Sequence, residues 1–477
     1  MTVKSEQSKR GAAGHRRGRG PRHREKAVPG LDARASALSI YEAVQVHQTP
    51  LDVVDTNAVD TDRVDPGAVD TGVGNAAGLS ARDKALAWMI AVTALRRQGQ
   101  IDRILKTCLQ KPLSGRALSV RGVVAIGAAQ ILFMDVSDHA AVDLSVRLCR
   151  QDRKKNAYAN LVNGVLRRVT REREVLLAAT APADNIPPPL RGRWAQNYGD
   201  ADLTAFADLI SIEPPLDITL KTDDDGSDWA EKLGGVLLPN GSVRIARAGD
   251  VSRLEGYEEG AWWVQDAAAS IPATLFRGVD GKPVADLCAA PGGKTAQLAA
   301  RGAKVYAVDN SSDRMARLKS NFSRLNLTAE TIVADAAQWT PPQPLDAVLL
   351  DAPCSATGTL RRNPDFSFLR GGFDPNRLLA VQARLIDQST RMLRPGGELV
   401  YCTCSLEPEE GENQVQAALE RHNDLAINPV RPSEVPGFES AIREDGALRI
   451  LPTALPNQDP RLAGVTGFFI ARLTKRA

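Results

Sequence analysis

Cys354 and Cys404 are the residues of this chain best suited to covalent chemistry. Each follows a short apolar run, in LLDAPCSATGTLRRNPD and YCTCSLEPEE. A free thiol has a pKa of about 8.5, so only a small fraction is thiolate at neutral pH unless the site lowers the value. It is still the best side-chain nucleophile there. Either cysteine alone also reads as a small buried core residue. As a pair at the ends of neighbouring strands, they would face one pocket. Asp286, Asp309, Asp335 and Asp351 also close apolar runs. Such residues either cap the helices that follow or contact a ligand gathered at the strand ends.

The first run ends in Asp286-Leu287-Cys288-Ala289-Ala290-Pro291-Gly292-Gly293-Lys294-Thr295. Small residues let the backbone approach a ligand, and the N–H groups of a helix start favour a carboxylate or phosphate. A phosphate-binding G-x-x-x-x-G-K-T loop needs glycine where Cys288 stands, and no G-x-G-x-x-G follows a strand. Nucleotide hydrolysis and dinucleotide binding are therefore disfavoured. Asp309 ends the second run, where a carboxylate accepts from ribose hydroxyls. Asp335 ends the third and is placed to accept from an exocyclic amine. A cofactor with ribose and adenine, neither dinucleotide nor triphosphate, suggests S-adenosylmethionine.

A thiol beside a methyl donor suits pyrimidine methylation. C5 of a pyrimidine is a poor nucleophile, and thiolate addition at C6 makes it enamine-like. A base then removes the C5 proton and the thiolate leaves. Asp351 is placed to hydrogen-bond the cytosine edge. Arg361, Arg362 and Asn363 either bind phosphate or form a solvated basic turn. Trp262 and Trp263 either stack a base or pack in the core.

These residues need rigid elements to position them. After residue 280, short apolar runs alternate with helical stretches, which predicts a mostly parallel sheet with helices on both faces. From Leu79 to about Glu174 the pattern is helical, with Ser80 at an N-cap position, and predicts an all-α bundle of five or six helices. Residues 32–47 form a further amphipathic helix. Pro182, Pro187, Pro188 and Pro189 mark a boundary, followed over 190–280 by short helices and strands. The VDT-repeating stretch at 49–78 reads as a flexible insertion without bulky anchors.

Charge is uneven. Residues 1–26 hold nine basic and two acidic residues, while the rest of the chain holds 51 basic and 55 acidic. A basic tail suits a polyanion or merely solubilises. Six cysteines in 477 residues make no disulfide framework. Cys108 and Cys149 read as core residues. No histidine lies near the Cys402-x-Cys404 pair, so no metal site is expected. The expectation is a cytoplasmic protein, with no signal segment and no window near 18 uncharged apolar residues.

DLCAAPGGKT, VDNSSDRM, DAPCSATGTLRRNPD and YCTCSLEPEE resemble, in order and spacing, the signature blocks of RNA cytosine-5 methyltransferases. LSARDKAL, NLVNGVLRR and DARASALSIYEAV resemble the RNA-binding NusB-like domain. The pairing is similar to the Sun/Fmu (RsmB) family, which modifies a cytosine in small-subunit ribosomal RNA. The resemblance implies Cys404 as nucleophile, with Cys354 assisting proton removal or release. It implies cofactor contacts from Cys288, Ala289, Ala290, Pro291, Gly292, Gly293, Lys294, Asp309, Asp335 and Asp351. Thr466 departs from it, standing where the family usually has Asp.

The expected architecture is an α plus α/β multidomain chain. It comprises a disordered basic tail (1–30), a NusB-like RNA-binding domain (31–180), a linker with a small α+β subdomain (181–280) and a Rossmann-like methyltransferase domain (281–477). The expected partner is ribosomal RNA at a single-stranded or loop cytosine, engaged by a monomer without metal or membrane. The competing reading is a non-catalytic RNA-binding or assembly factor with a vestigial pocket.

Overall fold

The computed structural model describes residues 28–51, 53–54, 79–222, 226–368 and 374–476. The basic tail before residue 28 and most of the 49–78 insertion lie outside the described residues.

The N-terminal part is a helical bundle. Its helices are α1 (Leu31–Gln45), α2 (Ala81–Arg96), α3 (Gln98–Cys108), α4 (Arg121–Phe133), α5 (Asp138–Gln151), α6 (Ala159–Arg171) and the short α7 (Arg173–Ala178). Beside α1, the further helix expected at 32–47, the six described α-helices from Ala81 to Ala178 agree with the five or six expected. The Ser80 side chain caps α2 by accepting from the Asp83 N–H, satisfying one of the orphan donors of the first turn. The bundle is built around α4, where every residue from Gly122 to Ile131 is buried. A side chain at Gly127 would place its Cβ 2.7 Å from Leu166 and 2.9 Å from Ser145; glycine is what lets α5 and α6 close on α4.

Gly115–Phe133 is long and apolar enough to cross a membrane by composition, Arg116 and Arg121 included, but it is mostly buried in the bundle. One expectation is corrected here. The start of the insertion does carry bulky anchors. Leu51 and Val54 are buried in the helical core, and the Leu51 N–H donates to the Asp365 carboxylate at 3.0 Å.

Next comes α8 (Pro188–Ile210), longer than the short helices expected and broken at Gly199, where φ is +85°. It leads into a small antiparallel sheet of order β2-β3-β1-β4, made of β1 (Leu216–Leu220), β2 (Val236–Leu237), β3 (Val243–Ile245) and β4 (Trp262–Val264), with α9 (Gly226–Lys232) beside it. Arg244 and Asp217 form a fully buried pair inside it, 2.6 Å apart. Asp217 also accepts from the Ala267 N–H and Arg244 donates to the Leu462 carbonyl, which ties the small sheet to the C-terminal domain.

That domain holds an eight-stranded sheet of order β10-β12-β9-β8-β5-β6-β7, with β11 against β12. Its strands are β5 (Pro283–Leu287), β6 (Lys304–Asp309), β7 (Glu330–Val333), β8 (Leu345–Asp351), β9 (Leu393–Thr403), β10 (Leu425–Ile427), β11 (Leu448–Ile450) and β12 (Phe468–Lys475). From β9 to β7 all neighbours are parallel; β12 joins β9 antiparallel. The helices are α10 (Ala267–Thr274), α11 (Gly293–Ala300), α12 (Ser312–Leu325), α13 (Leu379–Met392) and α14 (Glu412–Arg421). The chain runs outward from β5 through β6 and β7, then returns to β8 on the other side. The crevice beyond the β5 and β8 ends is thus the switch point, where such sheets bind ligands.

Candidate active site

The two thiols meet. In the β8–β9 register Asp351 faces Cys402, so the loops that leave these strands run side by side. Cys354 and Cys404 lie on those loops with their Sγ atoms 3.5 Å apart. The loops are stitched together. The Gly358 N–H donates to the Cys404 carbonyl at 3.0 Å, and the Leu406 N–H donates to the Thr357 hydroxyl at 3.0 Å. A Cβ on Gly358 would come within 2.1 Å of the Gly467 carbonyl, so only glycine permits this approach.

The hydrogen bond with Cys404, then burial, hold the Cys354 thiol well above its ordinary range. The raised Cys354 thiol keeps its proton at neutral pH, and either sulfur can be the donor of the pair.

The glycine-bearing loop sits at the end of β5. Cys288 takes a left-handed backbone, with φ at +61°. Its thiol is pushed up to about 12 by burial and then by the nearby Asp351, Asp309 and Asp286 carboxylates, so it is not a nucleophile. Gly292 has φ at +107°, and a Cβ there would lie 2.8 Å from Leu318. Ala289, Ala290, Pro291, Gly292 and Gly293 carry the backbone round to α11. Gly293 is backed by Gln265 and Trp263. Trp262 and Trp263 are both buried, which settles them as core residues.

Lys294 and Asp351 form an ion pair at 2.7 Å. Cys402 lies buried beneath, with its sulfur 3.5 Å from the other Asp351 oxygen. Asp309 is buried; its carboxylate accepts from the Ala290 N–H at 3.2 Å and the Ser311 N–H at 2.9 Å, and pairs with Arg314. It thus fastens the glycine loop to β6. Asp335 is not gathered in. It is exposed and closes its own turn, accepting from the Ala337 N–H and the Gln338 amide.

Asp286 is a strongly perturbed acid. Burial raises its carboxyl to about 7, against the Thr295 hydroxyl bond and the Lys294 charge. One of its oxygens is buried with no hydrogen-bond partner, a state that costs stability unless something completes it. A bare loop, a helix start, the Asp309 carboxylate and this orphaned oxygen around one crevice fit S-adenosylmethionine.

Arg361 and Arg362 are not phosphate ligands. Arg361 is buried and donates to the Ala463 carbonyl at 2.6 Å. Arg362 pairs with Asp266 at 2.7 Å. The Thr466 hydroxyl donates to the same Asp266 carboxylate at 2.8 Å, which accounts for a neutral donor at this position. Asn363 stays exposed and bonds Thr359.

Sequence reasoning missed two supports. Glu410 is buried and accepts from the Ser355 N–H at 2.8 Å and from its hydroxyl; burial raises its carboxyl. The helix α8 packs Trp194 and Phe206 against Leu360 and Leu406, one residue from each thiol loop, and the Trp194 indole donates to Glu407 at 3.0 Å. The EPEE run after Cys404 was the only signal for Glu410; nothing local pointed to Trp194.

The chain is similar to known proteins along most of its length. Residues 273–474 match the model of the 16S rRNA methyltransferase RsmB/F family, and residues 31–171 match the NusB family. Ribosomal RNA small subunit methyltransferase B from Cronobacter sakazakii is 32% identical over 414 residues, covering 83% of this chain and 92% of the relative. The protein of that name from Salmonella paratyphi C is 34% identical over 374 residues, covering 75% and 87%. The crystal structure of PH0851 superposes with a TM-score of 0.71 at 22% identity, covering 94% of this chain and 99% of that one. This last likeness shows the fold alone.

Proposed function

Because this chain belongs to the family of ribosomal RNA small subunit methyltransferase B, we propose that it methylates C5 of a cytosine in 16S ribosomal RNA, with Cys404 as nucleophile and Cys354 as its proton partner. The observation that supports this assignment is the 3.5 Å sulfur pair, in which Cys354 is the thiol raised well above its ordinary range.

S-adenosylmethionine, when bound, supplies the methyl group. Cys288, Ala289, Ala290, Pro291, Gly292, Gly293, Lys294, Asp309 and Asp351 hold it in this reading. The Cys404 thiolate gives its electron pair to C6 of the cytosine, and the C5–C6 π pair moves to C5, which would bond the methyl carbon as the carbon–sulfonium bond breaks and its pair stays on the departing sulfur. Asp351, held by Lys294, accepts a hydrogen bond from the ring edge and steadies the adduct. Once Cys404 is a thioether, the largest of the causes that raise Cys354 is gone. Cys354 can then lose its proton to solvent and take the C5 proton. The C–H pair re-forms C5=C6, the C6–S bond breaks, and Cys404 leaves as thiolate. One proton is released per methyl transferred.

The target base must be unstacked, at roughly a few kcal/mol. A loop or partly assembled RNA in the cytoplasm, met by a monomer, is the substrate this chemistry favours. Bisulfite sequencing of 16S RNA incubated with enzyme and S-adenosylmethionine tests it. One newly protected cytosine is expected, and none after complete reaction conditions contradicts the proposal.

A further inference from the structure

The bundle carries a concentration of positive charge that its ion pairs neutralise only in part. Residues 138–173 hold nine basic and four acidic side chains, whereas the remainder of the chain beyond residue 26 is acidic by nine charges. This segment is α5, the turn after it, and α6. Between the two helices runs a groove of about 530 Å³. Its floor is aliphatic, with Val142 and Val146; its rims carry Arg150, Asn160, Asn163 and Arg167.

The acids of the groove are already spent. Asp143 pairs with Arg147 at 2.7 Å, and Asp138 pairs with Arg173. Arg150 and Arg167 are exposed and have no carboxylate partner among the described residues. Arg167 is instead steadied by the Asn163 amide oxygen at 3.1 Å, which aims its guanidinium without neutralising it. Arg153 and Lys154 extend the positive rim along the turn, both exposed. At the far end the Thr170 hydroxyl has no hydrogen-bond partner. Guanidinium forks and amide donors over an aliphatic floor match phosphate oxygens and ribose hydroxyls.

We infer that the α5–α6 groove docks the phosphodiester backbone of the RNA substrate, away from the crevice that takes the cytosine. The inference rests on the reading above that the substrate is RNA. It assigns to the bundle a specific surface and a sequence-independent role.

The test uses the full chain and fluorescently labelled 16S RNA, with anisotropy read across a salt series. Arg150→Gln/Arg167→Gln should weaken RNA binding about tenfold and lower the slope of log affinity against log salt by about 1.4, at roughly 0.7 per lost phosphate contact on single strands. KM for RNA should rise while kcat and S-adenosylmethionine affinity stay as in the parent. Arg150→Lys/Arg167→Lys should keep most of the binding, because a point charge still neutralises phosphate. Arg394→Ala, which removes a surface pair with Asp346, serves as the control for charge lost elsewhere. Unchanged RNA affinity and salt slope in the glutamine variant overturn the inference. Unchanged binding to naked RNA with impaired methylation only of RNA–protein particles also overturns it, and gives the groove to a protein partner instead. If the parent binds RNA in a groove-dependent way yet protects no cytosine, the proposed function fails while the groove stands.

Discussion

Glu410 grips Ser355 with both carboxylate oxygens, taking its N–H at 2.8 Å and 3.1 Å and its hydroxyl as well. Ser355 is the immediate neighbour of Cys354, and its hydroxyl lies 3.2 Å from that of Ser405, the neighbour of Cys404. One buried carboxylate thus sets the spacing of both thiols. Glu410→Ala should lower kcat by about a hundredfold, the scale of an ångström-sized misplacement, with S-adenosylmethionine affinity unchanged. Glu410→Gln, which keeps one acceptor oxygen, should recover much of the loss. Single-turnover rates beside calorimetric cofactor binding separate this from a general loss of fold.

Trp194 should be a stability residue that also governs activity. It is fully buried against Phe206 at the junction of both thiol loops. Trp194→Ala should cost about 3–5 kcal/mol and leave the buried Glu407 without its indole donor. Urea denaturation measures the first effect. Methyl transfer by the fraction that remains folded measures the second.

Asp286 predicts a pH dependence. Its folded pKa, about 7, stands above the ordinary carboxyl value of 3.8, so the folded state binds the proton more tightly than the unfolded one. The stability it contributes is present below the unfolded value and is lost as pH rises through about 7. Its slope reaches about 1.4 kcal/mol per pH unit between those limits. Asp286→Asn should flatten that part of the stability profile while keeping an acceptor for the Thr295 hydroxyl. An unchanged profile in the variant contradicts the assignment.

The Lys294–Asp351 pair makes a further prediction. Lys294 is nearly buried, and Asp351 and Asp286 outweigh its burial and keep it charged. Lys294→Met should leave Asp351 beside the crevice without its counterion and reduce S-adenosylmethionine affinity by about tenfold, as read by calorimetry. Asp351→Asn in the same background should restore part of the affinity, because the unpaired charge is then removed.

The parts of this site that were legible in the sequence are those set by periodicity. Apolar runs that end in Asp309, Asp351 and Cys404 announce strands, and parallel strands deliver their carboxyl ends to one edge. That is why the convergence of Cys354 and Cys404 could be anticipated. What stayed hidden depends on partners distant in the chain. Arg361 and Arg362 look like a basic turn until Ala463 and Asp266 appear beside them. Thr466 looks like a lost acid until its bond to Asp266 is seen. Leu51 and Val54 sit in a stretch whose composition reads as linker, and only the packed bundle shows that two aliphatic side chains are enough to fasten its start.

The most direct measurement is gel analysis of covalent protein–RNA complexes formed by Cys404→Ala and Cys354→Ala with 16S RNA and S-adenosylmethionine. Cys404→Ala should form no adduct and transfer no methyl group. Cys354→Ala should accumulate a denaturation-resistant adduct, because the C6–S bond forms but is not released. Adduct formation by Cys404→Ala, or full turnover in that variant, would contradict the account.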